Sequence, residues 1–376
     1  MGLIRQVHPE ADIILHISEP ELFSPQPGVT VRTNVYSWMM FPRTDIISRF
    51  RRMAYCTWLY VARRCGWAYS GKADLVELLG DYETADLIVF SGGGYLRSQK
   101  GARQSVSLLS LAAVYLYASL SRARTVMMPI SFGPFAYRWQ TRLFGRLLNG
   151  VGVVFAREQV SFDALLAAGV TSVRLSTDLV LLSPVSKNIS GTPRKVVGFT
   201  LLQWFNKDTQ QAFEKTVTEA LLEVHAKTNA TFQPIVQVHA PTFGVNDQEV
   251  VERVGQRLLS QGCEVLPTRV VANVADGREV YGSLAVLLGM RMHSGILAYL
   301  SGVPVVGLVY EHKALGIARA LEVEKFYFES SKVTIPALVE ALLSAYTQRN
   351  ALIKHVDSKL AVLRARELPI LKEALA

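Results

Sequence analysis

The sequence predicts an α/β fold on parallel sheets, arranged as two Rossmann-like halves facing each other across a cleft. Three observations carry this. Short runs rich in Val, Ile and Leu recur along the chain without polar–apolar alternation, the mark of strands covered on both faces. Helical patterns lie between them, and alternating strand and helix means βαβ units. The segment 183–195 (SPVSKNISGTPRK) interrupts the alternation with Ser, Pro, Gly and Lys and reads as a linker. The expected division is therefore a first domain over 1–185, a linker over 186–195 and a second domain over 196–376.

In chain order, strands are expected at 11–16, 86–90, 125–130, 151–155, 196–202, 233–239, 285–289 and 304–309. Helices are expected at 102–122, 158–168, 208–228, 247–260, 294–301 and 335–346. Within 104–121 (QSVSLLSLAAVYLYASLS) no residue is charged, but five Ser and one Gln make a buried, sheet-covering or interdomain helix a better reading than a membrane span. The run FPRTDIISRFRRMAYCTWLYVARRCGWAY, 41–69, holds six Arg against one Asp among many aromatics. Its Arg-rich part, 43–64, suits either a surface helix whose Arg stems cover apolar neighbours or a helix resting on an anionic membrane.

Half of the 376 residues are hydrophobic and 19% are charged, enough to fill a large core and incompatible with a disordered or low-complexity chain. The net charge of +9 follows no long basic stripe or nucleic-acid-binding module, so nucleic acid is not expected as a partner. An anionic small substrate or an anionic membrane suits the excess. The three Cys are scattered and odd in number, which argues against disulfides and structural zinc. The N-terminus lacks the basic-then-apolar pattern of a signal peptide. A cytoplasmic location is therefore expected, with peripheral contact at the inner membrane face as a variant. P-loop, zinc-protease and kinase signatures are missing, as is an Asp-x-Asp pair near a strand end, so metal-free chemistry without a cofactor is expected.

Ligands of such sheets bind beyond the carboxyl ends of the strands. Seven strand ends carry suggestive residues. In DLIVFSGGGYL, Ser91, Gly92, Gly93 and Gly94 offer either an anion-binding turn ahead of a helix or a tight structural turn. PISFGPF, 129–135, closes the next strand and reads as a turn. In FAREQVS, Arg157 is a fixed cation suited to carboxylate or phosphate, unless it pairs with Glu158 or Asp163. Asp178, after a further strand-like run, could cap a helix or face the cleft. The sharpest signal is LGMRMHS, where Arg291 and His293 lie two apart at a strand-to-helix corner, with His293 or Ser294 expected at the helix N-cap. A guanidinium, an imidazole and free helix N–H groups there suit a phosphorylated anion and a proton donor. Tyr310, Glu311, His312 and Lys313 follow another strand, and His239 and Asp247 a third.

These blocks — DLIVFSGGGYL, PISFGPF, AREQVS with STDLVLL, and GMRMHSGILAYLSGVPVVGLVYEHKALG — resemble, in order and spacing, the polysaccharide pyruvyl transferase family over roughly residues 10–325. The resemblance implies two Rossmann-like domains in a GT-B-like arrangement with an interdomain cleft, the first on the acceptor side and the second on the donor side. It implies transfer of pyruvate from phosphoenolpyruvate to two hydroxyls of a nucleotide- or lipid-linked saccharide, forming a ketal for an exopolysaccharide or cell-wall polymer. Arg291 and His293 match the family's Arg-x-His, with His293 as general acid. Arg157 opens the match to its Arg-Asp-x-x-Ser, with Glu158 in place of Asp. Arg157 and Arg291 are then expected to meet from opposite halves around the donor, with Ser91, Gly92, Gly93, Gly94, Ser294, Tyr310, Lys313 and His239 as further binding residues. Family members often begin with a strand and a Gly-Asn or Gly-Asp loop. Here Met1 falls where the first helix should be, which implies a shortened or missing first βα unit. A nucleotide-sugar glycosyltransferase of the same form is the alternative enzyme. An inactive membrane-surface scaffold of polysaccharide assembly is the alternative outside enzymes.

Overall fold

The computed structural model describes residues 1–42, 45–67, 71–185, 195–240 and 245–376. The expected linker lies almost wholly outside the described residues, as do 43–44 of the Arg-rich segment. The chain divides into two compact units, Met1–Thr177 with Glu367–Ala376, and Asp178–Arg366. Both are α/β on parallel sheets, the fold class that the sequence predicts.

The first unit opens with α1 (Gly2–Val7) and a separate parallel pair, β1 (Ile13–Ile17) and β2 (Val29–Thr33). Then come α2 (Val35–Met40), α3 (Ile46–Arg64), α4 (Ala73–Thr84), β3 (Leu87–Phe90), β4 (Gly93–Leu96), α5 (Ala102–Leu120), β5 (Arg124–Phe132), α6 (Arg138–Leu148), β6 (Val153–Ala156), α7 (Gln159–Ala167) and β7 (Val173–Leu175). The sheet runs β3-β5-β6-β7, and β4 pairs with the far half of β5. The uncharged segment 104–121 forms α5, which covers this sheet as expected. Leu108, Ala112 and Tyr115 pack into the cluster containing Met127, Ile130 and Val154. Its other flank, Ala113, Tyr117 and Ala118, joins a second cluster with Cys56, Leu59 and Tyr60 of α3. Among the described residues no helix is long and apolar enough to cross a membrane.

The second unit contains β8 (Val196–Thr200), α8 (Lys207–Thr228), β9 (Thr231–Val236), the short β10 (His239–Ala240) and β11 (Val245–Asn246), α9 (Gln248–Ser260), β12 (Arg269–Val270), α10 (Val274–Gly282), β13 (Val286–Gly289), α11 (Met292–Leu300), β14 (Val305–Val309), α12 (His312–Ala320), β15 (Tyr327–Glu329), α13 (Ile335–Thr347) and α14 (Arg349–Leu375). Its sheet runs β12-β9-β8-β13-β14-β15, every pairing parallel. In chain order that is 3-2-1-4-5-6, the doubly wound order, with its switch point between β8 and β13. Every residue of β13 and β14 is buried, as uniform apolar runs require. The last ten residues of the chain count with the first unit, so that unit is discontinuous, which the linear boundaries read from the sequence do not include.

Candidate active site

At the carboxyl end of β13 the chain turns through Met290 and Arg291 into α11. Arg291, not His293 or Ser294, is the N-cap, in an extended conformation. Its guanidinium grips one carboxylate twice: Nε donates to Asp247 Oδ2 at 3.0 Å and Nη2 to Oδ1 at 2.5 Å. Asp247 is 1% exposed and also accepts from the Val238 N–H. Burial works against the charge on Arg291, but the hydrogen bond and charge of Asp247 outweigh it and hold its pKa above the ordinary value. The Tyr310 hydroxyl, one residue beyond β14, also bonds Arg291. Burial raises the Tyr310 pKa against the opposing pull of Arg291, so the phenol stays a neutral donor. Its ring packs on Trp204, beyond the end of β8, with centroids 4.6 Å apart. Thus the ends of β8, β13 and β14 supply one corner, at the switch point where such sheets bind ligands.

His293 lies in the first turn of α11 with its side chain half exposed, and its Nε2 is 3.7 Å from Asp178 Oδ2. Asp178 is buried and caps the 3-10 turn Leu179–Leu182 by accepting from the Val180 N–H. Ser294 is placed otherwise than as a ligand residue. It is fully buried, donates to the Arg291 carbonyl and shares a hydrogen bond with Thr200 Oγ1 at 3.0 Å, locking the corner from beneath. His239 opens β10 and Lys313 lies in the first turn of α12; only their backbone places are described.

The first-unit candidates fall differently. The triple-Gly segment is not followed by a helix: Gly93 and Gly94 open β4, and α5 begins only at Ala102. Gly92 is demanded by packing, since a Cβ there would lie 2.2 Å from the Pro129 carbonyl oxygen, and Gly93 takes φ +156°. Ser91 contributes its carbonyl to the Tyr95 hydroxyl. Arg157 follows β6 as expected, but its side chain is 4% exposed. Its Nε donates to Ser131 Oγ at 2.7 Å and lies 3.3 Å from Glu158 Oε2, so this cation is engaged inside its own unit. Asp163 is taken by Gln159 instead.

Asp247, Asp178 and Trp204 complete the second-unit corner. Asp247 and Asp178 stand out in sequence only as acids near strand ends. Trp204 is signalled by nothing beyond an aromatic pair after β8.

Comparison with solved structures defines the fold class further. An alpha,alpha-trehalose 6-phosphate synthase from Burkholderia multivorans matches with TM-score 0.52 at 12% identity, over 93% of this chain and 83% of that one. A structure from E. coli described as trehalose-6-phosphate bound with UDP-2-fluoro glucose matches with TM-score 0.55 at 11% identity, over 93% and 87%. At such identities the likeness is one of fold. The sequence goes further: residues 2–312 match the polysaccharide pyruvyl transferase family, and the chain belongs to it. A curated relative, the amylovoran biosynthesis protein AmsJ of Erwinia amylovora, is 24% identical over 231 residues, 55% of this chain. The chain spans about half the length of that relative, 54%.

Proposed function

We propose that the protein is a ketal pyruvyltransferase that moves pyruvate from phosphoenolpyruvate to a diol of a nucleotide- or lipid-linked saccharide in exopolysaccharide synthesis. The observation that carries this reading is the Arg291–Asp247–Tyr310 cluster beside His293 at the switch point of the second unit, in a chain of this family. Asp247 takes Nε and one Nη2 donor and Tyr310 bonds the same guanidinium, so Arg291 is held as a fixed cation at the corner. The Tyr310 hydroxyl and the first N–H groups of α11 add neutral donors, suited to a ligand carrying both phosphate and carboxylate.

In the reaction, His293 gives a proton to the methylene carbon of the enol, which becomes a methyl group. The adjacent carbon, now an oxocarbenium centre, is attacked by one sugar hydroxyl. Loss of inorganic phosphate and attack by the second hydroxyl close the ketal, and the two hydroxyl protons leave to solvent and to the vacated base. Asp178 places a carboxylate oxygen 3.7 Å from His293 Nε2. Arg157, engaged with Ser131 and Glu158, holds the end of β5 to the start of α7 rather than gripping the donor directly.

Incubation with phosphoenolpyruvate tests the proposal. Phosphate release is expected only when an acceptor saccharide is added, with a ketal methyl signal in the product. A His293→Ala protein that folds normally should lose turnover by roughly 10²–10⁴-fold, the usual share of a general acid. Near-full turnover would remove the acid role. Failure to bind phosphoenolpyruvate at all, with transfer from a nucleotide-sugar instead, would favour the glycosyltransferase alternative.

A further inference from the structure

We infer that α3 is a docking face for an anionic lipid bilayer, independent of the reaction that the second unit performs. The helix is 19 residues long, with five Arg and no acid. Its inner side is fixed: Cys56, Leu59, Tyr60 and Ala62 are buried in the first unit's core. A surface helix of this kind should present polar groups outward. Instead Ile47 is 65% exposed, Phe50 52%, Trp58 45% and Val61 37%. These positions recur at three-, eight- and three-residue intervals, one line along the outer face about 21 Å long. Exposed Arg51 and Ala54 lie in the same line, Arg64 is exposed at its end, and Trp67, just beyond the helix, is 56% exposed.

Charge selects the occupant. The acid at the N-cap, Asp45, is held ionised by hydrogen bonds from Ser48, and Glu83 is paired with Arg63, so against five Arg the helix keeps a net positive charge. An anionic lipid surface is attracted by juxtaposed Arg, accepts Phe and Ile into the acyl boundary, and accommodates Trp at the headgroup level. A second copy of this chain would bring the same Arg residues onto one another across a two-fold contact. With no crossing helix among the described residues, the contact is peripheral.

The full chain is mixed with phosphatidylcholine vesicles with and without phosphatidylglycerol and floated on a density gradient. The protein is expected to rise with the anionic vesicles only, and less so at high salt. Phe50→Ser with Trp58→Ser should lower partitioning at least about tenfold while the protein still unfolds cooperatively, the loss of the Tyr55–Trp58 stack lowering the midpoint only slightly. Arg51→Gln with Arg64→Gln should lower it about fivefold per charge. Brominated lipid should quench wild-type fluorescence, and Trp58→Phe should lose part of that quenching, Trp67 supplying the rest, while still floating. Absence of flotation, or flotation of the Phe50/Trp58 variant equal to wild type, overturns the inference. So does a wild-type dimer in sedimentation that the same variant dissociates without any vesicle binding.

Discussion

At the scale of single residues, the corner around Arg291 depends on a buried acid. Asp247→Asn removes the bidentate partner of a largely buried cation, and breaking such a pair costs about 3–5 kcal/mol. A denaturant titration should show that loss, and calorimetry should show weakened phosphoenolpyruvate binding, because the guanidinium is no longer aimed. The thiols give a separate check. Burial pushes the Cys56 thiol up to about 12 and also raises that of Cys263, whereas Cys65 is exposed. Alkylation in the native state should therefore label Cys65 first, with Cys56 and Cys263 labelled only on unfolding. Arg291 and His293 are legible in the sequence because a strand, a corner and a helix fall within a dozen residues. The partner of Arg291 is not. Asp247 lies 44 residues away, at the N-cap of α9 after β11, and only the folded second unit brings it to the end of β13.

At the scale of elements, uniform Val/Ile/Leu runs place the central strands to within about two residues, because burial on both faces leaves little choice of residue. Some of what escapes lacks a pattern, although the strongly amphipathic α6 also stands outside the expected helices. The final helix carries apolar and polar residues on every side and has Pro369 inside it, so no stripe announces it. The triple glycine is visible, but its cause is tertiary: the chain passes Pro129 with no room for a methyl group. Gly92→Ala should shift β4 off β5 and cost about 1–3 kcal/mol, read as a lower unfolding midpoint. Replacing Asn206, whose side chain accepts from the Thr209 N–H at the start of α8, by Ala should cost about 1 kcal/mol in the same measurement.

At the scale of the whole molecule, the sequence declares two α/β halves through its alternation of strand and helix. It does not declare that the first of them is assembled from both ends of the chain. In that unit Leu371 and Leu375 are fully buried, and the Leu375 carbonyl accepts from Arg124 Nη2 at 2.6 Å and lies 2.8 Å from His8 Nε2. Leu371→Ala should cost about 2–5 kcal/mol. Hydrogen exchange should rise in amides of residues 1–177 and stay unchanged in those of 178–366. The same closure sets an order of events during synthesis. A nascent chain ordinarily completes its amino-terminal domain first. Here the first unit lacks a piece of its own interior until residues 367–376 leave the ribosome, so it closes only after the whole of the second unit has been made, and a product stalled before residue 367 keeps an open seam along the strand that carries Arg124.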